Sequence, residues 1–289
     1  MSAGVALVQV PYVVGDERHP ASDGPKRLVD AGAARALTRD GAAATVERVE
    51  RRGPFADSAS ASLAVNKGLS GVVRGALASG RLPVVLAGSC DASLGVIAAF
   101  DHSRCGVVWI DAHADFNTPE TTVSGFFPGM SAAMIAGHCY RSYWAEIGDA
   151  SPVPERAILM LGVRDLSPEA EGARLEASAV QVVGWRDGKP IRDIAAALDE
   201  LLRHVDEVYV HFDLDGLDPQ VAPGVVDAPV PGGLSLEDAE EVLRAVAARF
   251  RIRAAALTTY NPARDKDEKT LRASVRILEL LGECPTWKA

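Results

Sequence analysis

The chain has 289 residues, 48% of them apolar and 24% charged, with a formal net charge of −9. This is an ordinary globular composition, large enough to bury a core without covalent staples. An acidic balance with no Lys/Arg-rich run argues against nucleic acid as a partner, and no uncharged apolar stretch approaches the roughly 20 residues that cross a bilayer, so no membrane is expected.

In chain order, residues 3–10 are a short apolar run suited to a strand buried on both faces. Residues 15–24 are a loop, 26–38 a helix, and 44–49 a strand. Residues 58–79 have the spacing of a long helix ending before Gly80. Residues 82–87 are a fully apolar strand that runs into Gly88-Ser89-Cys90-Asp91 and a helical segment to Phe100. Residues 106–110 are the next strand, followed by a Thr/Gly/Pro-rich loop over 116–129 and a short helix over 131–136. A strand is expected over 157–163, a helix over 169–177 and a strand over 180–183, with Pro190 as the first residue of a helix. Residues 208–212 form a strand, 216–233 a second long loop, and Ser235 with Asp238 a capping box that opens a helix through Phe250. Residues 252–257 are a strand and 270–281 a last helix. Apolar strands alternating with amphipathic helices predict an α/β protein whose mostly parallel sheet is covered on both faces. With no internal linker, residues 1–289 read as one domain. Cys90, Cys105, Cys139 and Cys284 form neither a disulfide framework nor a Cys-x-x-Cys pair, which suits a reducing cytoplasm.

Ligands of such sheets bind beyond the carboxyl ends of the strands. There the chain places Asp111-Ala112-His113-Ala114-Asp115 after one strand and Asp213-Leu214-Asp215 after another. Residues two apart in extended chain point to the same side, so each set converges. Four carboxylates and an imidazole at one rim repel one another unless a cation joins them. Carboxylate-rich ligation with one imidazole suits two divalent ions, manganese first. Two such ions supply a hydroxide nucleophile at neutral pH.

Residues 109–119, Trp-Ile-Asp-Ala-His-Ala-Asp-Phe-Asn-Thr-Pro, and 211–219, His-Phe-Asp-Leu-Asp-Gly-Leu-Asp-Pro, resemble two metal motifs of the ureohydrolases, the arginase and agmatinase family. Pro231 to Ser235 and Tyr260-Asn261-Pro262 match in the same order, so the resemblance runs from about Val5 to Leu281. It implies a three-layer arginase-like fold with an eight-stranded, mainly parallel sheet. It also implies a dinuclear manganese centre, hydrolysis of a small-molecule guanidino substrate to urea or an analogue plus an amine, and a homo-oligomer, trimer or hexamer. By the same resemblance Cys90, Asp111, His113, Asp115, Asp213 and Asp215 fall on metal ligands. Asp115 also handles protons for the leaving amine. Asn117, Thr122 and Ser124 fall on positions that hold an α-carboxylate, Asp165 on one near the α-amino group, and Thr259 on one that meets the guanidino group.

Three positions depart from the family pattern. Cys90 stands where the first motif has a His ligand. A thiolate is soft and favours zinc or iron over manganese, so the ion on that side is expected to be weak or substituted, with Asp91 as an alternative oxygen ligand. Pro128 replaces an active-site His and cannot carry a proton. Thr259 replaces a Glu that pairs with the guanidinium, so a fully charged guanidinium loses its partner. This pattern resembles members with Cys in the first motif that hydrolyse N-omega-hydroxy-arginine. Agmatine, guanidinobutyrate and a metal-poor, non-catalytic relative are the alternatives. His211 lies on the strand face of Asp213 and is either support for the metals or an ordinary core residue. Phe126, Phe127 and Met130 make the 116–129 loop more apolar than arginine requires, and Ser167 stands where arginases often carry another Asp.

Overall fold

The computed structural model describes residues 4–38, 43–101, 104–148, 151–226 and 229–283. Cys284 and the chain ends of the predicted single domain therefore lie outside the described residues. Each of the eight apolar runs becomes a strand of one sheet: β1 (Val5–Val10), β2 (Ala44–Arg48), β3 (Leu82–Ala87), β4 (Cys105–Ile110), β5 (Ile158–Leu161), β6 (Gln181–Val183), β9 (Glu207–Asp213) and β10 (Arg251–Thr258). A separate antiparallel pair, β7 (Trp185–Arg186) and β8 (Lys189–Pro190), lies between β6 and β9 in sequence.

The sheet order is β2-β1-β3-β10-β9-β4-β5-β6, and every neighbouring pair is parallel. The chain builds the two flanks first and then inserts its last two strands between them. That late insertion creates the site. Register aligns Ala87 with Thr258, Thr258 with Asp213, and Ile110 with Phe212, so four distant motifs emerge side by side at one rim. This is the carboxyl edge at which the strand order reverses, where parallel sheets bind ligands. β3 and β4 are buried along their whole length, which is why their sequences show no alternation.

Helices α1 (Gly24–Asp30), α2 (Ala33–Leu37), α3 (Ser58–Ala78), α4 (Ser93–Ile97), α5 (Ser131–Ile135), α6 (Arg141–Ile147), α7 (Glu169–Glu176), α8 (Ile194–Leu202), α9 (Leu236–Arg249) and α10 (Lys269–Glu283) supply the outer layers. In one layer α10 packs on α2 and α9, and α9 on α8; in the other, α3 packs on α4 and α6, and α4 on α5. The Ser235–Asp238 capping box is present in both directions.

Two expectations are corrected and one helix is added. The helix over 26–38 is two helices, because Gly32 takes a left-handed φ of 97° between them. The helix Arg141–Ile147 was not foreseen. Pro190 does not open a helix. Asp187 and Gly188, with φ of 51° and 71°, form a two-residue hairpin turn, and Pro190 ends its second strand. The helix that follows starts at Ile194, where the Asp193 side chain accepts from the N–H groups of Ala195 and Ala196.

Candidate metal centre

Cys90, Asp111, His113, Asp213 and Asp215 bring ligand atoms together at this rim, while Asp115, also predicted as a ligand, lies near them but is not among the clustered atoms. Asp111 follows β4, Asp213 ends β9, Cys90 follows β3, and Asp215 sits in the short turn after β9. Backbone geometry fixes the carboxylates. The N–H of His113 donates to Asp111 Oδ1 at 2.7 Å, that of Asp215 to Asp213 Oδ1 at 2.8 Å, and that of Ala112 to Asp215 Oδ1 at 3.3 Å. Trp109 Nε1 donates to Asp111 Oδ2 at 3.0 Å. Arg164 pins the turn after β9 by donating to the carbonyls of Asp215 at 2.8 Å, Gly216 at 3.1 Å and Leu217 at 3.2 Å.

Two groups of side chains bring ligand atoms within 4.8 Å of one another: Asp111, His113 and Asp215, and Cys90, Asp111, His211 and Asp213. Asp111 belongs to both. In the first group His113 Nδ1 lies 3.3 Å from Asp111 Oδ1 and 3.2 Å from Asp215 Oδ2. Burial works against a charged imidazole there, but these two carboxylates prevail and push His113 up to about 12. In the second group Cys90 Sγ donates to Asp213 Oδ2 at 2.9 Å. The same oxygen accepts from Thr258 Oγ1 at 3.1 Å and from Thr259 Oγ1. Burial, with the nearby Asp213, Asp115 and Asp111 charges, holds the Cys90 thiol well above its ordinary range.

The carboxylates themselves are out of balance. Burial first, and then the neighbouring Asp charges, hold Asp111 and Asp115 well above the carboxylate range and Asp213 at about 8. Burial raises Asp215 too, but its contacts with His113 bring it below its ordinary value. Two buried polar atoms in this region have no hydrogen-bond partner, Asp115 Oδ2 and His211 Nε2. Buried polar groups are normally satisfied. Clustered carboxylates, a thiol and orphaned donor atoms fit divalent ions, which supply the missing positive charge and, when bound, a nucleophilic hydroxide at neutral pH.

Asp115 has a left-handed φ of 48° and lies beside the 128–130 segment, where a Cβ on Gly129 would be 3.9 Å from its Oδ1. Pro128 is buried in that segment. Thr259 also has a left-handed φ, 71°. Asp165 is joined to the cluster by backbone pairing with His113. The tail residues are looser. Asn117 accepts from Thr121 Oγ1 at 3.0 Å, and Thr122 and Ser124 hold their own loop by accepting from the N–H groups of Gly125 and Phe126, each at 3.1 Å. Phe126 is 54% exposed beside them.

Asp91 does not join the ligands. It accepts from Ser62 Oγ at 2.5 Å and from Ser89 Oγ, and belongs to neither ligand group. Glu171 also borders the site. This buried carboxyl on α7 accepts the Phe116 N–H at 2.8 Å, and burial raises it to about 7. Its helical spacing carries no sign of that role. His211 had one such sign, its position two residues before Asp213.

A parallel three-layer sheet with two ligand groups sharing one Asp at its switch point has the form of a dinuclear metallohydrolase. The Arginase family model matches residues 3–282, and the chain belongs to that family. Its enzymes are hydrolases of the C–N bonds of guanidino compounds, and this chain is such a hydrolase. An arginase of Bacillus caldovelox is 30% identical over 296 residues, covering 96% of this chain and 98% of the relative. A solved arginase from Bacillus cereus superposes with a TM-score of 0.86 at 27% identity, covering 96% of this chain and 98% of that one. Proclavaminate amidino hydrolase from Streptomyces clavuligerus superposes with a TM-score of 0.72 at 18% identity over 100% of this chain and 93% of that one, a likeness of fold alone. Among the described residues no helix is long and apolar enough to cross a membrane.

Proposed function

We propose that this hydrolase acts, as a single cytoplasmic catalytic domain with two divalent ions, on a guanidine less basic than arginine, with N-omega-hydroxy-L-arginine as the first candidate. Water would cleave the bond between the guanidino carbon and the side-chain nitrogen, giving hydroxyurea and ornithine. Asp111, His113, Asp115 and Asp215 would hold one or both ions in an oxygen-rich setting that suits manganese, and Cys90 and Asp213 would complete the other side.

The observation that carries this reading is at Thr259. Where the family resemblance implies a carboxylate for the guanidinium, this chain has a hydroxyl that already donates to Asp213. Removing a charged partner from a buried cation costs about 2–5 kcal/mol. A hydroxyguanidine needs that partner less. With its proton given to Asp213, Thr259 Oγ1 keeps lone pairs to accept the substrate N–OH. Asp115 would hold the proton at Oδ2 and return it to the leaving amine, because Pro128 supplies no relay. Asn117, Thr122, Ser124 and Asp165 would hold the amino-acid tail.

The relatives named Arginase favour arginine itself as the second reading. One assay separates the two. Manganese-loaded protein is given N-hydroxy-arginine, arginine, agmatine and guanidinobutyrate, and hydroxyurea or urea is measured. The proposal expects kcat/KM for N-hydroxy-arginine to exceed that for arginine by about thirtyfold or more, equivalent to about 2 kcal/mol. Equal or greater efficiency with arginine would overturn it.

A further inference from the structure

Cys90 stands where the first motif has an imidazole, but the site has not lost its imidazole. We propose that His211 replaces it as a direct ligand, so that Cys90, His211, Asp213 and Asp111 form a sulfur–nitrogen–oxygen site for a zinc-class ion, beside the oxygen-rich site at His113. The inference rests on the dinuclear-centre reading and is independent of the substrate.

Four observations converge on His211. A ring nitrogen lies within 4.8 Å of the ligand atoms of Cys90, Asp111 and Asp213, and all four residues are buried. Its Nε2 is buried with no hydrogen-bond partner. Its other nitrogen, Nδ1, is taken, 2.8 Å from Ser93 Oγ and 3.3 Å from Tyr209 OH. Metal-binding histidines typically give their second N–H to an acceptor, a role a hydroxyl oxygen can fill, which fixes the tautomer and leaves the other lone pair for the ion. The ring is also locked in place, stacked on Trp109 with centroids 3.6 Å apart and planes 20° from parallel. Buried ring nitrogens are normally hydrogen-bonded, so an unpartnered one beside three clustered ligand atoms calls for a partner.

The donor types then select the ion. Thiolate and imidazole with carboxylate suit zinc or its cobalt substitute better than manganese. Binding replaces the proton that Cys90 shares with Asp213: the S–H bond is exchanged for a metal–sulfur bond, and one proton goes to solvent. The two halves would thus prefer different ions.

The test uses the full chain, freed of metal and titrated with zinc or cobalt(II). Wild type with one equivalent of zinc should show, by X-ray absorption, one sulfur and one imidazole on the ion. With cobalt it should show a thiolate charge-transfer band and the intense visible bands of a tetrahedral site. His211→Leu should keep the charge-transfer band, weaken the visible bands and lower zinc affinity on the order of a hundredfold. Cys90→Ser should abolish the charge-transfer band. Sulfur without imidazole in the wild-type absorption spectrum would overturn the assignment and leave the dinuclear reading standing, and this measurement needs no variant to fold. Unchanged affinity and cobalt spectrum in a folded His211→Leu would also overturn it. A wild-type chain that binds no divalent ion would overturn the inference and the dinuclear reading together.

Discussion

The two halves of the ligand cluster share Asp111 and differ in almost every other respect. On one side Asp111 and Asp215 flank His113, whose side chain is 33% exposed and whose charged form the two neighbouring side chains favour against burial. On the other side Cys90, His211 and Asp213 are buried, and protons take the place of charge. Burial and neighbouring anions favour the neutral thiol and hold Asp213 at about 8. An ion entering the first half competes with the His113 proton that Asp111 and Asp215 favour; one entering the second displaces the proton that Cys90 shares with Asp213. One fold can therefore present two chemically distinct sites only a few bonds apart, and the difference lies in which side chains the central strands deliver.

The most severe way to break the comparison is at the residue both halves share. Asp111→Asn keeps the shape but removes the charge that bridges them. We expect kcat/KM to fall by about a thousandfold or more, equivalent to about 4 kcal/mol, and elemental analysis to find both ions lost. Full retention of one ion would mean that the halves bind independently.

A second test concerns Glu171, which lies behind Phe116 and feels the His113 side. Its folded value of about 7 is above the ordinary 4.5, because burial penalises the charged form. A carboxyl raised in this way stabilises the fold below the ordinary value and loses that contribution as pH rises through about 7. Glu171→Gln keeps an acceptor for the Phe116 N–H and removes the titration. In urea unfolding of metal-free protein, wild type should lose about 3 kcal/mol relative to the variant between pH 4.5 and pH 8. A difference independent of pH would contradict the assignment.

Most of the frame was legible in the sequence because the main strands are continuous apolar runs, and Asp111 to Asp115 and Asp213 to Asp215 follow two of them directly. What escaped depends on three-dimensional choices. Pro190 suits a helix start as well as a strand end, and only the Asp187-Gly188 turn decides between them. Asp91 is one residue from Cys90, yet it turns to Ser62 on α3. His211 has the same spacing from Asp213 whether it ligates or merely packs. Ser93, Tyr209 and Trp109, which hold its ring, are gathered around it only in the folded chain.

Thr259 tests the difference on the buried side. Its left-handed φ is already accommodated by a β-branched residue, so Thr259→Glu adds no new backbone demand. The carboxylate would restore a partner for a charged guanidinium and remove the hydroxyl that holds Asp213. We expect the ratio of kcat/KM for arginine to that for N-hydroxy-arginine to rise about thirtyfold, measured with both substrates on the same preparation. An unchanged ratio would mean that the residue does not face the guanidino group.

Ser93 sharpens the comparison most gently, because it touches the ion only through His211. Its hydroxyl lies 2.8 Å from both His211 Nδ1 and Tyr209 OH. Ser93→Ala leaves Tyr209 as the remaining partner of Nδ1 at 3.3 Å, so the ring stays in place but is held less tightly. Loss of such a supporting contact lowers metal affinity by about tenfold at the mild end. That loss should fall on the zinc-class ion of the Cys90 side, leave manganese at the His113 side unmoved, and be reversed in Ser93→Thr, which keeps the hydroxyl. Equal weakening of both ions would trace to general loosening of the rim, and no weakening would mean that the Trp109 stack alone is enough to orient the ring.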